Sequence, residues 1–404
     1  MTKIRILIFL LTIIVVATVG TFVSYYARGY RFDTKNLRFV PNGLLVLKSD
    51  PDGASVYVNQ ELRAATNSTI SLLPGTYDVS IKKDGYFTWS KRLEIQKEIV
   101  TEADVNLFRS APSLTPITFD GAINPTISSD LTKVAFTIVP SPNLSDDKVG
   151  LWVLDTLNLP LGFPRDPKRI TDGDLTGAQY LFSPDTRQIL LTTKQGVYLL
   201  DSGSFTPQNQ RVNIASTKDV TLATWEKRKK LKLTGLINSL PVEAIDLFNR
   251  KSSDVLFSPD ETKILYTASS EATLKDDLIP QLPGASTQKQ ERNIQKGSTY
   301  VYDIKEDRNF LITDKPAALD GQLTTNQTTL LPTLHWFPSS NHLVLAQDSK
   351  VSILEYDGTN SVTVYAGTYN FPSAYPYLNT NKLLILTNLG AINSPPNLYS
   401  LTLK

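Results

Sequence analysis

The chain has 404 residues, of which 41% are hydrophobic, and this length can bury more than one hydrophobic core. Its 41 Lys and Arg against 39 Asp and Glu give a formal net charge of +2, which argues against a nucleic-acid-binding protein. Cysteine is absent and His335 and His342 are the two histidines, so the composition excludes disulfides, thiolate chemistry and three-histidine metal sites.

An uncharged apolar segment, residues 6–27, follows a short tail of residues 1–5. About 20 such residues in a helix span the hydrocarbon core of a bilayer. Tyr25, Tyr26 and Tyr30 fall at the expected headgroup level. We therefore expect a single transmembrane helix in contact with the lipid bilayer. A cleaved signal peptide is the alternative, although no clear small-x-small cleavage site follows.

The charges beside this helix bear on its orientation. Lys3 and Arg5 precede it, and Arg28, Arg31, Lys35 and Arg38 follow it in a juxtamembrane linker of residues 28–42. The positive-inside count alone would keep the bulk of the chain in the cytoplasm. That rule weakens when a long domain follows the helix. We expect a single-pass anchor in the cell membrane with the carboxy-terminal bulk outside the cytoplasm.

An all-β pattern occupies residues 43–109. The strands predicted from apolar alternation are 44–47, 55–59, 76–81 and one that begins at Leu93. Pro51-Asp52-Gly53 and Pro74-Gly75 supply the backbone angles of tight turns between strands. This segment should fold as a small β-sandwich.

Three spaced motifs in this segment resemble the PEGA domain, named for a Pro-Glu-Gly-Ala signature. They are Pro51-Asp52-Gly53-Ala54 with the strand 55–59, then 73–77 and 83–86. Asp52 stands where the family has Glu, which keeps the charge and the turn chemistry. The resemblance implies an exported cell-envelope module with a structural or carbohydrate-facing role. Aromatic residues of the segment would stack on sugars or, as we expect for strand positions, pack in the core: Tyr57, Tyr77, Tyr86, Phe87 and Trp89.

A repeat fills residues 110–404. The tetrapeptides Phe182-Ser183-Pro184-Asp185 and Phe257-Ser258-Pro259-Asp260 each precede an apolar strand, and weaker copies stand at 127–130, 336–339 and 378–381. Proline presets φ for a turn, and the Asp carboxylate can accept hydrogen bonds from the amides that follow. We therefore assign Asp185 and Asp260 to turns rather than to a reaction.

The repeat resembles the blade of TolB-type and WD-type β-propellers. Their signature is a Trp/Phe-Ser-Pro-Asp-Gly turn, and here Thr186 and Glu261 stand where the family usually has Gly. The resemblance implies a propeller of five or more blades, each a short antiparallel sheet. The whole chain is then mainly β: an N-terminal transmembrane helix, a PEGA-like sandwich and a propeller, an arrangement that resembles bacterial PEGA-domain membrane proteins.

Two long intervals between copies indicate insertions. The first, about residues 221–251, is predicted to form a helical hairpin that stands off one blade. Pro241 should start its second helix. Its basic run should form a solvated outer face; an anionic lipid surface or a teichoic-type polymer is the alternative partner for Lys227, Arg228, Lys229, Lys230 and Lys232. The second insertion, about residues 269–297, reads as a long surface loop, and whether it binds anything is open.

Catalytic motifs are absent from the sequence. It contains no Gly-x-Ser-x-Gly, no phosphate-binding glycine-rich loop and no His-Glu-x-x-His. We expect His335 and His342 to be ordinary half-buried or exposed imidazoles, and the run 171–174 to be a turn between blades because further calcium ligands are missing. No catalytic, cofactor-binding or metal-binding residue is assigned, and no cofactor is expected.

The sequence therefore predicts an extracytoplasmic binding or scaffold protein of the bacterial cell envelope rather than an enzyme. Its propeller would present a surface to a protein or a cell-wall glycan. The alternative is a surface-tethered propeller hydrolase that acts on envelope polysaccharide or peptide. Several acids converging on one mouth of the propeller would favour the hydrolase. The sequence leaves the ligand and the oligomeric state open.

Overall fold

The computed structural model describes residues 2–27, 30–33, 38–142, 144–157, 166–280, 282, 286–319, 331–377, 381–391 and 393–404. The chain divides into two compact units. The amino-terminal unit holds residues 1–107 and 281–288, and the propeller unit holds residues 108–280 and 289–404. Strands are the main regular structure, as predicted.

Helix α1 (Thr2–Ala27) forms from the apolar amino-terminal segment. Within it, Ile4–Ala27 is long and apolar enough to cross a membrane. The hydroxyl groups of Thr12, Thr18 and Thr21 donate hydrogen bonds to carbonyls one turn earlier, so these polar groups are satisfied within the helix. The predicted helix is present, and its crossing of a membrane stays a prediction.

A hairpin and a two-sheet sandwich complete the amino-terminal unit. The hairpin pairs β1 (Tyr30–Asp33) with β2 (Arg38–Pro41). The sandwich strands are β3 (Gly43–Asp50), β4 (Ser55–Val58), β5 (Glu61–Ala65), β6 (Ser68–Leu72), β7 (Gly75–Lys82), β8 (Trp89–Ile95) and β9 (Val100–Asn106). One sheet has the order β6-β3-β9 and the other β5-β4-β7-β8.

The sandwich core comes from period-two alternation. In β3, Leu45 and Leu47 point inward and are fully buried, while their neighbours are more exposed. Val56 and Ile81 from the facing sheet complete the same cluster. The sandwich is present as predicted; the parallel pairing of β3 with β9 was not predicted.

Five sheets follow, here named blades 1 to 5 in chain order. Strand β10 (Ser113–Pro116) precedes them. Blade 1 has β11 (Ile123–Ile127), β12 (Lys133–Ile138), β13 (Gly150–Asp155) and β14 (Lys168–Asp172). Blade 2 has β15 (Gln179–Phe182), β16 (Gln188–Thr193) and β17 (Gly196–Asp201).

Helices α2 (Lys218–Ile237) and α3 (Val242–Arg250) separate blade 2 from blade 3 in the chain. Blade 3 has β18 (Ser252–Phe257) and β19 (Lys263–Ala268); a small hairpin of β20 (Ala272–Thr273) and β21 (Asn293–Ile294) then precedes its β22 (Thr299–Asp303) and β23 (Arg308–Thr313). Blade 4 has β24 (Ala318–Leu319), β25 (Thr333–Trp336), β26 (His342–Gln347), β27 (Lys350–Glu355) and β28 (Val362–Ala366). Blade 5 has β29 (Ala374–Tyr377), β30 (Lys382–Thr387) and β31 (Asn397–Thr402), and β10 completes it.

The two ends of the propeller unit meet in blade 5. β10 pairs with β31, so the first strand of the propeller unit completes the last blade, with Leu114 opposite Leu401. Hydrogen bonds join the first long strands of neighbouring blades. Tyr180 Oη lies 3.0 Å from the carbonyl of Ile123, Tyr375 Oη lies 2.9 Å from that of Pro125, and Trp336 Nε1 lies 3.4 Å from that of Leu256. These strands therefore surround the axis of a β-propeller, which confirms the predicted fold.

The helical insertion lies between blades 2 and 3. Trp225 of α2 packs on Leu190 and Val197 of blade 2, while α3 packs on blade 3 through Leu247 and Phe248. The core shared by blades 1, 3, 4 and 5 includes no described residue of blade 2. The insertion is helical as predicted, but it does not stand off one blade; it connects two blades, because the apolar sides of both helices are covered.

The second insertion also departs from the prediction of a simple surface loop. β20 pairs with β21 at its base, and Leu274 and Ile294 are buried in the core of blade 3. Near its other end, the side chains of Thr287 and Gln288 donate hydrogen bonds to the carbonyl of Arg92 within the amino-terminal unit. Strand pairing and buried apolar side chains therefore order the base of a segment whose composition alone suggested an irregular loop.

Candidate binding cleft

The Ser-x-Asp corners of blades 1 to 3 share one hydrogen-bonded geometry. In blade 3, Ser258 Oγ donates to Asp260 at 2.7 Å and accepts from the amide of Lys263 at 3.0 Å, while Asp260 also accepts from the amide of Thr262. Glu261 lies at φ +59° in the left-handed region, which explains why the family prefers Gly there. The same network occurs around Asp130 and Asp185. The assignment of Asp185 and Asp260 to turns agrees with this geometry.

Blade 4 keeps the corner's backbone without its side chains. Phe337 stands where the other corners have Ser, yet its amide still donates to the carbonyl of His342 at 2.9 Å. Ser340 holds the left-handed position at φ +60°. Its hydroxyl accepts a hydrogen bond from the amide of Asp260 at 3.1 Å and so links the corners of blades 3 and 4. The fifth copy of the motif is residues 378–381, of which 378–380 lie outside the described residues.

The corner carboxylates are held ionised. Desolvation raises the pKa of Asp260, but hydrogen bonds from Ser258 and Thr262 outweigh it and lower this pKa to about 2. The pKa of Asp130 is lowered by the same balance, and that of Asp185 is lowered first by its hydrogen bond from Ser183. Groups of this kind accept hydrogen bonds but do not donate a proton near neutral pH.

A cleft of about 730 Å³ lies between α2 and these corners. The corners of blades 1 to 3 each follow the first long strand of their blade, so they share one face of the propeller, and the cleft opens there. The corners of blades 1, 2 and 3 form one wall through Ser129, Asp130, Leu131, Pro184, Asp185, Ser258, Pro259 and Glu261. Its volume falls in the usual range of ligand sites.

The other wall is the basic side of α2. Arg228, Lys229, Lys230 and Lys232 line the cleft, and Lys227 does not. Lys232 pairs with Glu261 across the cleft at 2.9 Å. Arg228, Lys229 and Lys230 are exposed and have no ion-pair partner in the described part of the chain. All five basic residues are exposed, as expected for a solvated face, but four of them also line the cleft because α2 turns them toward the corners.

Apolar side chains form the floor of the cleft. They are Leu233 and Leu236 of α2, Val255, Leu256 and Phe257 of β18, and Trp336 of β25. A second cavity of about 330 Å³ adjoins the first, and Glu226 and Lys229 line both. Lys229 thus stands where the two cavities meet, beside Trp225 of the second.

The sequence contains a signal for this placement. Leu222, Trp225, Lys229, Leu233 and Leu236 recur at intervals of three and four residues. This spacing puts them on one face of a helix. Lys229 therefore interrupts the apolar face that packs on the blades, whereas Lys227 lies on another side.

Formal charges on the cleft lining balance, but they are separated in space. Four cations lie on α2, and four acids are Asp130, Asp185, Glu226 and Glu261. Three of these acids belong to the corner wall. One wall is therefore mainly basic and the opposite wall mainly acidic, with an apolar floor between them.

The two histidines lie away from the cleft, in blade 4. Both are buried, at 1% exposure for His335 and 4% for His342, so the expected half-buried or exposed imidazoles are wrong. Burial lowers the pKa of His335 to about 4, and neither of its ring nitrogens has a hydrogen-bond partner among the described residues. Its ring contacts that of Tyr375 edge-on at 5.4 Å. The described residues contain no group of three or more potential metal ligands.

Two further sequence assignments agree with the geometry. The run 171–174 ends β14 and begins the connection from blade 1 to β15 of blade 2, with Asp174 accepting hydrogen bonds from Thr176. In the sandwich, Trp89 is buried, and Tyr77 and Tyr86 pack against the core. None of the five aromatic residues considered for sugar stacking is exposed.

Comparison with known protein families supports the assignment of the amino-terminal sandwich. The model of the PEGA domain matches residues 42–111. No curated protein matches the chain. Among solved structures, TolB from Acinetobacter baumannii is 12% identical with a TM-score of 0.19; the match covers 81% of this chain and 59% of that one.

Two further solved structures have similar scores. A putative TolB from Agrobacterium tumefaciens is 13% identical, with a TM-score of 0.21 and coverage of 71% of this chain and 80% of that one. The β-propeller domain of the Trilobed protease from Pyrococcus furiosus is 13% identical, with a TM-score of 0.20 and coverage of 89% and 95%. These TM-scores are too low to support a fold assignment. The propeller assignment therefore rests on the strand pairing. The chain therefore carries a PEGA domain at residues 42–111, followed by a β-propeller with five blades among the described residues and helices between blades 2 and 3.

Proposed function

We propose that this chain is an extracytoplasmic, membrane-anchored binding or scaffold protein of the cell envelope, and that its ligand occupies the cleft between α2 and the blade corners. The observation that carries the proposal is the cleft itself. It combines a ligand-sized volume, an apolar floor and three cations without partners on α2. The PEGA domain and the apolar helix α1 support the envelope location.

The alternative of a hydrolase receives less support. Acids do meet at one face of the propeller, which is the arrangement named above for such an enzyme. A glycosidase, however, needs one carboxylic acid with a raised pKa to protonate the leaving group. The pKa values of Asp130 and Asp185 are lowered instead, and each carboxylate is engaged within its own corner. This difference favours binding over turnover.

The proposal is tested with the full chain in detergent, screened against cell-wall glycans and envelope proteins. We expect saturable retention without turnover. A variant with Arg228→Glu, Lys229→Glu and Lys230→Glu should lose this retention, and Lys227→Glu should keep it, because Lys227 lies outside the cleft. Cleavage of a retained ligand would overturn the binding assignment, and equal retention by both variants would overturn the cleft as the site.

A further inference from the structure

The cleft also restricts the chemistry of its ligand. We propose that it accepts an extended peptide segment in which acidic and apolar side chains alternate. This inference rests on the proposed function and names the ligand class of the same site. It follows from the separation of charge, from the apolar floor and from the dimensions of the cleft.

The separation of charge is the first step. Arg228, Lys229 and Lys230 offer three unpaired positive charges on one wall. The opposite wall presents the ionised carboxylates of Asp130 and Asp185. A polymer that is anionic on every side, such as a polyphosphate, would meet like charges at the corner wall. A strand-like peptide places alternate side chains on opposite sides, so its acids can face the cations of α2 while its apolar side chains face the blades, where Val255, Leu256 and Phe257 line the cleft.

The floor is the second step. Leu233, Leu236 and Val255 are only half-buried, so they leave apolar area that water covers in the free protein. Burying such area on binding is favourable, at about 25 cal/mol per Å². Phosphate polymers and charged glycans have few apolar groups to cover it, whereas leucine-type side chains of a peptide do.

Dimensions are the third step. The cavity of about 730 Å³ shares the lining residues Glu226 and Lys229 with the cavity of about 330 Å³ beside Trp225. Lys229 lies at their junction because it lines both. An elongated ligand that runs through both cavities would pass Lys229, which makes this residue the best single site for a test.

The test uses the full chain in detergent and fluorescence anisotropy of a labelled, end-blocked eight-residue peptide in which glutamate and leucine alternate. We expect saturable binding that weakens with salt. Peptides that alternate lysine with leucine, or glutamate with serine, should bind at least tenfold more weakly. Lys229→Glu should weaken binding of the glutamate-leucine peptide at least tenfold, and Lys227→Glu should change it less than twofold.

Inorganic polyphosphate is the competing probe. It distinguishes an error in the peptide assignment from an error in the cleft as the binding site. If polyphosphate binds more tightly than the peptide and Lys229→Glu abolishes that binding, the peptide assignment is wrong while the cleft stands. If Lys229→Glu changes the binding of neither probe, the cleft itself is wrong. Lys229 is exposed, so the variant should fold, and an unchanged thermal transition verifies this.

Discussion

Arg292 Nη1 lies 3.0 Å from Asp307 Oδ1, and both side chains are nearly closed to solvent. Asp307 also accepts a hydrogen bond from Tyr302 Oη at 2.8 Å and one from the amide of Leu278 at 2.7 Å. This pair thus fixes both ends of the second insertion against blade 3. A charge left alone in such a site is costly, because neither water nor a partner compensates it.

Asp307→Ala should therefore destabilise the propeller unit by about 3–5 kcal/mol. Chemical denaturation followed by tryptophan fluorescence measures the change, since Trp152, Trp225 and Trp336 lie in this unit. Asp276→Ala is the matched control, because Asp276 contacts the same Arg292 at 3.5 Å but is 80% exposed. Equal effects of the two substitutions would show that burial of the pair is not what matters.

The corner aspartates should make the propeller sensitive to acid. The pKa of Asp260 in the folded chain, about 2, lies below its ordinary value of 3.8. Its carboxylate therefore stabilises the fold fully above about pH 4, and this contribution is lost as the pH falls from about 4 to about 2. We expect Asp260→Ala to cost roughly 1 kcal/mol at pH 7.

Denaturation curves recorded between pH 7 and pH 2 test the predicted loss of stabilisation by Asp260 at low pH. The difference between Asp260→Ala and the natural chain should vanish near pH 2. Ser339 occupies the equivalent corner position in blade 4 and carries no charge, so Ser339→Ala should show no such pH dependence. A difference that grows toward low pH would contradict the assigned pKa direction.

Glycine at the corner's left-handed position should stabilise the propeller. Glu261 lies at φ +59°, where an L side chain is strained by about 1 kcal/mol and glycine is not. Its exposed ion pair with Lys232 contributes little. We expect Glu261→Gly to raise stability by about 0.5–1 kcal/mol in the same denaturation assay. Glu261→Ala removes the ion pair but keeps the strain, so a gain with Ala as large as with Gly would refute the backbone explanation.

The sequence predicted most elements of the fold but not the cleft. The Pro-Asp corners, their apolar strands and the two helices could be predicted because each depends on local turn chemistry or apolar periodicity. The position of α2 could not be predicted, because it depends on the packing of Trp225 against Leu190 and Val197, some 30 residues away in the chain. β10 was missed for a related reason: this four-residue strand is defined by its pairing with β31 at the far end of the chain.

The membrane anchor and its orientation are open to direct measurement. We expect the chain to stay in the membrane fraction after alkaline extraction, with an intact mass that includes α1. Protease added to spheroplasts should digest the propeller unit. A mature mass that lacks about the first 27 residues would establish the signal-peptide alternative, and a protected propeller would reverse the orientation.

The affinity of the labelled glutamate-leucine peptide for Lys229→Glu, compared with Lys227→Glu, tests the binding cleft most directly. The two substitutions make the same charge change on the same exposed helix, and of the two residues Lys229 alone lines the cleft. The account predicts at least a tenfold loss for Lys229→Glu and less than a twofold change for Lys227→Glu. Equal losses would mean that α2 attracts anions only through its overall charge, and the cleft would then not be the site.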